Sequence, residues 1–274
     1  MIGSLEMKKQ LIITHPGSAH FDELTAISLI LAVYTDVKFR VERREPTPAE
    51  LDNPDIWVVD IGFRHEPEKH NFDHHQSLDC PASFVLLAEY LGLAETMSVM
   101  TWWNFKDEVD RFGPVKSSLK YHAGDDLVNR NPIESWLAEK FANEPEVCLP
   151  LLKSFGITLI ESARMLKSQI DFWKSSTRLV IAGVPAMIGE TRESAGLAEF
   201  RRLDKNPPDI VISLDRTGNG WRLFRYDGTP VNFSLISDCK EIDFAHKSGF
   251  LAKTKEHLSI DELISLISKA VTIV

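Results

Sequence analysis

The chain has 274 residues, 43% of them hydrophobic, enough to bury a core and to form two compact units, which excludes wholesale disorder. Its 40 acidic and 31 basic residues give a formal charge of −9. That balance argues against broad, nonspecific polyanion binding, because such affinity comes from Lys and Arg on phosphate, and leaves a local basic patch or bound metal ions to hold one. The three cysteines, Cys80, Cys148 and Cys239, are far apart and form no CxxC pair, which excludes a disulfide scaffold or zinc knuckle and points to a reducing compartment.

The first residues, MIGSLEMKKQLIITH, hold a four-residue apolar run and then turn polar. They do not read as a signal peptide, and no stretch approaches the roughly 18 apolar residues of a spanning helix. The expectation is a cytoplasmic protein without a membrane partner. Leu11–Thr14 is a short apolar run rich in β-branched residues, and it ends in the turn His15-Pro16-Gly17-Ser18. From Asp22 the period changes. Leu24, Ile27, Leu31 and Tyr34 recur at helical spacing, and Asp22 and Glu23 suit a helix N-terminus. Lys38–Arg43 alternates like a strand, and Asp55–Ile61 reads as a buried strand with Asp60 at its carboxyl end. Strand, helix and strand in this order predict a parallel sheet whose ligands lie beyond the carboxyl ends of the strands.

Helices are expected from Pro81 to about Phe112, over Glu134–Ala142 and from about Val147 to Trp173. The last carries Leu151, Phe155, Leu159, Ala163, Leu166 and Ile170 on one stripe. Arg178–Val184, Asp209–Leu214 and Trp221–Tyr226 read as strands, and Asp261–Val271 as a closing helix. The fold class is therefore α/β. A parallel-sheet domain is expected over 1–145, a connecting helix over 146–174, and a smaller α/β domain over 175–274.

Six of the nine histidines lie in the first 75 residues. His15, His20 and Asp22 surround one strand-to-helix turn; Asp60 closes a strand; Asp73-His74-His75 follows; and Lys106-Asp107-Glu108-Val109-Asp110 follows an aromatic-rich helix. Singly, each has an ordinary explanation as a helix cap, a turn residue or a solvated acidic face. Together they offer imidazoles and carboxylates with no thiolate, which suits manganese, iron or zinc, while oxygen-rich sharing favours manganese or magnesium. A carboxylate at a strand end is well placed to bridge two ions, the arrangement used for phosphoryl chemistry.

The ordered series THPGSAHFDE, WVVDIG, HNFDHHQ and DEVD resembles the Asp-His-His phosphoesterase superfamily, which includes RecJ-type exonucleases, oligoribonucleases and manganese pyrophosphatases. Within it the chain is most similar to the melanocyte-proliferating-gene family. Three elements carry that likeness: an opening of His15, Gly17, His20, Asp22 and Glu23, a run from Glu66-Pro67 to Asp73-His74-His75-Gln76, and a late His246-Lys247-Ser248-Gly249-Phe250. The resemblance implies a domain of the Asp-His-His type that binds two divalent cations, manganese first, with magnesium or zinc as alternatives. His15, His20 and Asp60 would hold one ion, and Asp22, Asp60, His74 and Asp110 the other. Asp107 stays open as the alternative to Asp110, because Arg111-Phe112-Gly113 stands where the family often has Asp-Asn-Gly.

His75 would face the substrate phosphate or leaving group and, with Asp60, is the implied catalytic pair. His246, Lys247 and Gly249 would contact a phosphate. The family's proline-tryptophan-lysine stretch is altered here to Val184-Pro185-Ala186. The leading expectation is metal-dependent hydrolysis of phosphodiester bonds, as a 3'-5' exonuclease on single-stranded RNA or DNA. A small phosphate ester or pyrophosphate is the alternative substrate, and a non-catalytic metal-binding regulator the alternative class. A homodimer is left open.

Overall fold

The computed structural model describes residues 9–122 and 132–272. Two compact units divide the chain, Met1–Met165 and Leu166–Val274. Each has its own sheet and its own apolar core, and the class is mixed α/β.

In the first unit the strands are β1 (Gln10–Thr14), β2 (Phe39–Arg43), β3 (Ile56–Val59), β4 (His65–Glu66) and β5 (Asn71–Phe72), arranged in the order β2-β1-β3-β5-β4. The first four in that order run parallel, and β4 closes the edge antiparallel to β5. Leu11, Ile12 and Ile13 are all buried, as a strand covered on both faces requires. The helices are α1 (Phe21–Val33), α2 (Pro48–Leu51), α3 (Ser83–Tyr90), α4 (Ala94–Met97), α5 (Trp103–Phe112), α6 (Pro114–Tyr121), α7 (Pro132–Asn143) and α8 (Pro145–Ser175). α1 packs so closely on α8 that a Cβ at Gly156 would collide with the Ser28 carbonyl. No helix among the described residues is long and apolar enough to cross a membrane.

The helix expected over 146–174 is Pro145–Ser175, and it contributes to both units. Leu152, Leu159 and Ala163 lie in the first core, while Trp173 hydrogen-bonds Ala195 O (2.9 Å) in the second unit. Beyond it come β6 (Thr177–Ile181), β7 (Val184–Gly189), α9 (Leu197–Leu203), β8 (Ile210–Leu214), β9 (Trp221–Arg225), β10 (Ile242–Ala245), β11 (Leu251–Thr254) and α10 (Ile260–Ser268). The sheet order is β10-β11-β9-β8-β7-β6, antiparallel except for the β7–β8 pair. The single strand expected over Arg178–Val184 is corrected to two. Ala182 and Gly183 both adopt positive φ (48° and 86°), the geometry of a tight hairpin turn, and the chain reverses there. The closing helix is shorter than expected, ending at Ser268, and Val271 makes an isolated bridge to Val231.

Candidate metal centre

Because β1, β3 and β5 are parallel, their carboxyl ends lie along one edge of the sheet. The residues that follow those ends are His15, Asp60 and Asp73-His74-His75. From β2 on the same edge comes Arg43. The N-terminus of α1 adds His20, Asp22 and Glu23, and the last turn of α5 adds Asp110. A crevice beyond the carboxyl ends of parallel strands is where this architecture holds ligands.

Asp60 lies at the middle of the group and is 1% exposed. Its backbone takes φ of 60°, a left-handed conformation that Asp tolerates better than most residues. One carboxylate oxygen, Oδ1, accepts from Ser83 Oγ (3.3 Å) and lies 3.5 Å from His74 Nε2. The other, Oδ2, is 3.6 Å from His15 Nε2 and 3.7 Å from His20 Nε2. His74 Nε2 lies 2.8 Å from Asp110 Oδ2 and 3.6 Å from Asp22 Oδ2. His15 pairs with Glu23, and its ring stacks on His20 with centroids 4.7 Å apart.

Two sets of donor atoms, each lying within 4.8 Å of one another, follow: His15, His20, Glu23 and Asp60; and Asp22, Asp60, His74 and Asp110. A third joins Asp60 with His74 and His75. Asp60 belongs to all three, which is the geometry of a bridging carboxylate.

The electrostatics fit cations. Asp60 Oδ2 and His20 Nδ1 are buried atoms with no hydrogen-bond partner among the described residues. Orphaned buried polar atoms are costly, and a divalent ion satisfies several at once. Burial, together with the charges of Asp60 and Asp110, pushes the Asp22 carboxyl well above the usual carboxylate range. Burial alone would pull the two strand-end imidazoles down, but the carboxylates override it. Glu23 and then Asp60 push His15 up to about 9, and Asp110, Asp60 and Asp22 push His74 up to about 11. Burial opposes ionisation of Asp110, yet His74 and the charge of His20 hold its carboxyl below the usual value. The all-nitrogen-and-oxygen donor set suits divalent cations of the manganese, magnesium or zinc kind.

Supporting contacts fix the candidate ligands. The backbone N–H groups of Ser83 and Phe84, at the start of α3, donate to Asp22 (2.8 and 2.6 Å). Arg43, almost fully buried, donates to Glu23 Oε1 (2.9 Å) and to Gly17 O (2.9 Å). Asp73 stands outside the ligand sets. It accepts from the backbone of Phe63 (2.6 Å), His74 (2.7 Å) and His75 (3.1 Å), and from His75 Nδ1 (2.6 Å). Burial opposes its ionisation, but these bonds, His75's first, hold its carboxyl below the usual range. His75 is half exposed, and Asp73 raises its pKa.

Asp107, the open alternative, lies elsewhere. It accepts from Ala82 N (2.8 Å) and from Arg111 Nη2 (2.7 Å), so it caps α3 and ties α5 to it. Glu23 and Arg43 are the residues that motif reading passed over. Glu23 stands in the opening motif and at the helix N-terminus but carries no ligand role in the sequence reading, and nothing in the Arg43 neighbourhood distinguishes it from a strand-end cation.

His246, Lys247 and Gly249 occupy the turn between β10 and β11 in the second unit. The turn is closed by Gly249 N donating to His246 O (2.8 Å). Gly249 has φ of 69°, and a Cβ there would collide with Asn232 Oδ1, so internal packing already requires this glycine.

Residues 11–79 match the model of MYG1_exonuc, described as an uncharacterised protein family (UPF0160). The mouse MYG1 exonuclease is 34% identical over an alignment covering 35% of this chain and 33% of the mouse protein. The human MYG1 exonuclease is 42% identical over 65 residues, covering 23% of this chain and 16% of that protein. The matched stretches thus span a third or less of these curated relatives. Among solved structures, a pGpG-specific phosphodiesterase from Vibrio cholerae aligns over 96% of this chain and 99% of its own, at 12% identity and a TM-score of 0.28. That score carries no argument about function. The stretch matched by the family model, residues 11–79, contains His15, His20, Asp22, Asp60 and His74, and in that stretch the chain is similar to the MYG1 exonuclease family.

Proposed function

We propose that the chain is a metal-dependent phosphoesterase that hydrolyses phosphodiester bonds, acting as a 3'-5' exonuclease on single-stranded RNA or DNA. The observation that carries the reading is the pair of donor sets joined at one buried carboxylate, Asp60. In this reading His15, His20, Glu23 and Asp60 hold one divalent ion, and Asp22, Asp60, His74 and Asp110 hold the second. Bound there, the ions supply Lewis acidity, lowering the pKa of water and offsetting charge on the phosphate.

The remaining work falls to the chain itself. Arg43 offsets the buried charge of Glu23, and the α3 N-terminus holds Asp22 in one orientation. Asp73 fixes Nδ1 of His75, which leaves Nε2 to carry a proton toward the leaving oxygen. The test is the full chain with manganese, incubated with end-labelled single-stranded RNA, single-stranded DNA and pyrophosphate. Stepwise shortening of a strand is expected, and His75→Ala should lower kcat by about 100-fold or more, in the range of a lost general acid. Phosphate release from pyrophosphate with both strands intact would replace the exonuclease reading with a pyrophosphatase.

A further inference from the structure

The second unit carries a cluster of cations on one face of its sheet, in which Lys253 pairs with Asp215. In β8, β9 and β11, Ile212, Leu223 and Ala252 are fully buried and pack in the core that includes Leu263 and Leu266 of α10. Alternation along each strand turns their neighbours Ser213, Arg222 and Lys253 to the opposite face. The register places Ser213 opposite Arg222, Arg222 opposite Lys253, and Lys253 opposite Phe244, so the four form one cross-strand row. Phe244, at the edge, is 44% exposed.

Carboxylates are scarce here. Arg192 donates to the carbonyl oxygens of Asp215 and Gly218, and Arg216 donates to Arg192 O (3.3 Å) and Ser194 Oγ (3.1 Å). Arg201 donates to Pro208 O and lies 3.2 Å over the Tyr226 ring. Arg222 lies 4.9 Å over the Phe224 ring and makes no ion pair among the described residues. The carboxylate that does enter is Asp215, held by Lys253 at 2.8 Å. On a chain of net charge −9, arginines spent on neutral carbonyls and rings leave a local positive surface.

We propose that this row binds one nucleotide of a single-stranded nucleic acid, its phosphate on Arg222, Arg216 and Lys253 and its base on Phe244. Burial, and then the charge of Arg216, lower the pKa of the Arg222 guanidinium, while Tyr226 and Asp215 raise it. Phe244 is two strands from Arg222, roughly 10 Å away, within one nucleotide's reach from phosphate to base. Ring stacking tolerates any base, and the cations supply the salt-dependent part. The assignment rests on the phosphodiester reading of the metal centre, since it names the polymer that centre would cut.

The test is fluorescence anisotropy of a short labelled single-stranded DNA with the full chain in chelator, across a series of salt concentrations. Arg222→Gln should weaken binding about tenfold and lower the salt slope by about 0.7, the value for one phosphate contact on a single strand. Arg222→Lys should restore the slope. Phe244→Ala should weaken binding about tenfold with the slope unchanged. Lys269→Gln, just past α10, removes a charge from the opposite face and should do neither. Wild-type affinity in both Arg222→Gln and Phe244→Ala, or no binding by the wild type, overturns the assignment. A parallel assay of the manganese-loaded wild type on a small chromogenic phosphodiester separates the two readings. Turnover there without strand binding overturns only the nucleotide row, and strand binding without turnover overturns only the phosphoesterase.

Discussion

Asp60 combines three properties that seldom coincide: a left-handed backbone, near-complete burial and membership of every candidate ligand set. The left-handed conformation costs a non-glycine residue about 1–2 kcal/mol, a strain found where a side chain must be aimed rather than merely buried. Asn accepts the same backbone nearly as well as Asp, so Asp60→Asn removes charge without removing the turn. Two outcomes follow. Metal analysis of purified Asp60→Asn should show both ions lost, whereas His15→Ala should weaken chiefly one. The metal-free variant should melt at or above the wild-type temperature, because Asp60 is among the charges that disfavour an ionised Asp22. Two ions bound to Asp60→Asn with wild-type affinity would remove the bridging role.

At the level of single elements, the short helix α2 shows how local chemistry fixes the loop between β2 and β3. Thr47 caps it, with Glu50 N donating to Thr47 Oγ1 and Glu50 closing the capping box onto Thr47 N (2.8 Å). Arg44 clamps both Glu50 oxygens at 2.9 and 2.7 Å. Arg44 first, then the Thr47 backbone, lowers the Glu50 pKa from 4.5 to about 2. A depressed carboxylate stabilises the fold above its unfolded pKa and loses that contribution as pH falls through the folded value. The unfolding free-energy difference between wild type and Glu50→Gln should therefore be full above pH 4.5 and vanish toward pH 2, and its size should stay near 1 kcal/mol because the pair is partly exposed. Urea titrations across that range would show it, and a pH-independent difference would refute it. The longer elements of this unit were legible for a plain reason: β1, α1, β2 and β3 each run long enough for their period to declare itself. Strands β4 and β5, two residues each, are too short to have a period. Ala182-Gly183 is not a usual hairpin dipeptide, so β6 and β7 read as one strand. The hairpin at His246–Phe250 was hidden by its polar composition. At the site, adjacency exposed Asp22, His74 and His75, while the contribution of Glu23 depends on β2 bringing Arg43 beside it, a contact across 20 residues that no local pattern encodes.

On the scale of the whole chain, every residue of the candidate metal sets lies between His15 and Asp110, inside the first unit, and the two units have separate cores. A ligand stabilises whatever cooperative structure must open to release it, by about 2.7 kcal/mol when present at 100 times its Kd. Ions held by the ends of β1, β3 and β5 and by α1 and α5 therefore act on the first unit's opening equilibrium. Hydrogen exchange followed by mass spectrometry, with and without manganese, should show slowed exchange in peptides from Leu11–Thr14, Phe21–Val33, Ile56–Val59 and Trp103–Phe112. Peptides from Val184–Gly189, Ile210–Leu214 and Trp221–Arg225 should exchange at the same rate in both conditions. His15→Ala should reduce this protection without abolishing it, because His15 belongs to one donor set and the set of Asp22, Asp60, His74 and Asp110 is left intact. Equal manganese protection in both units would mean that the chain opens as one body, and that the separate cores do not act as separate cooperative units. Protection confined to the second unit would place the ions away from Asp60 altogether.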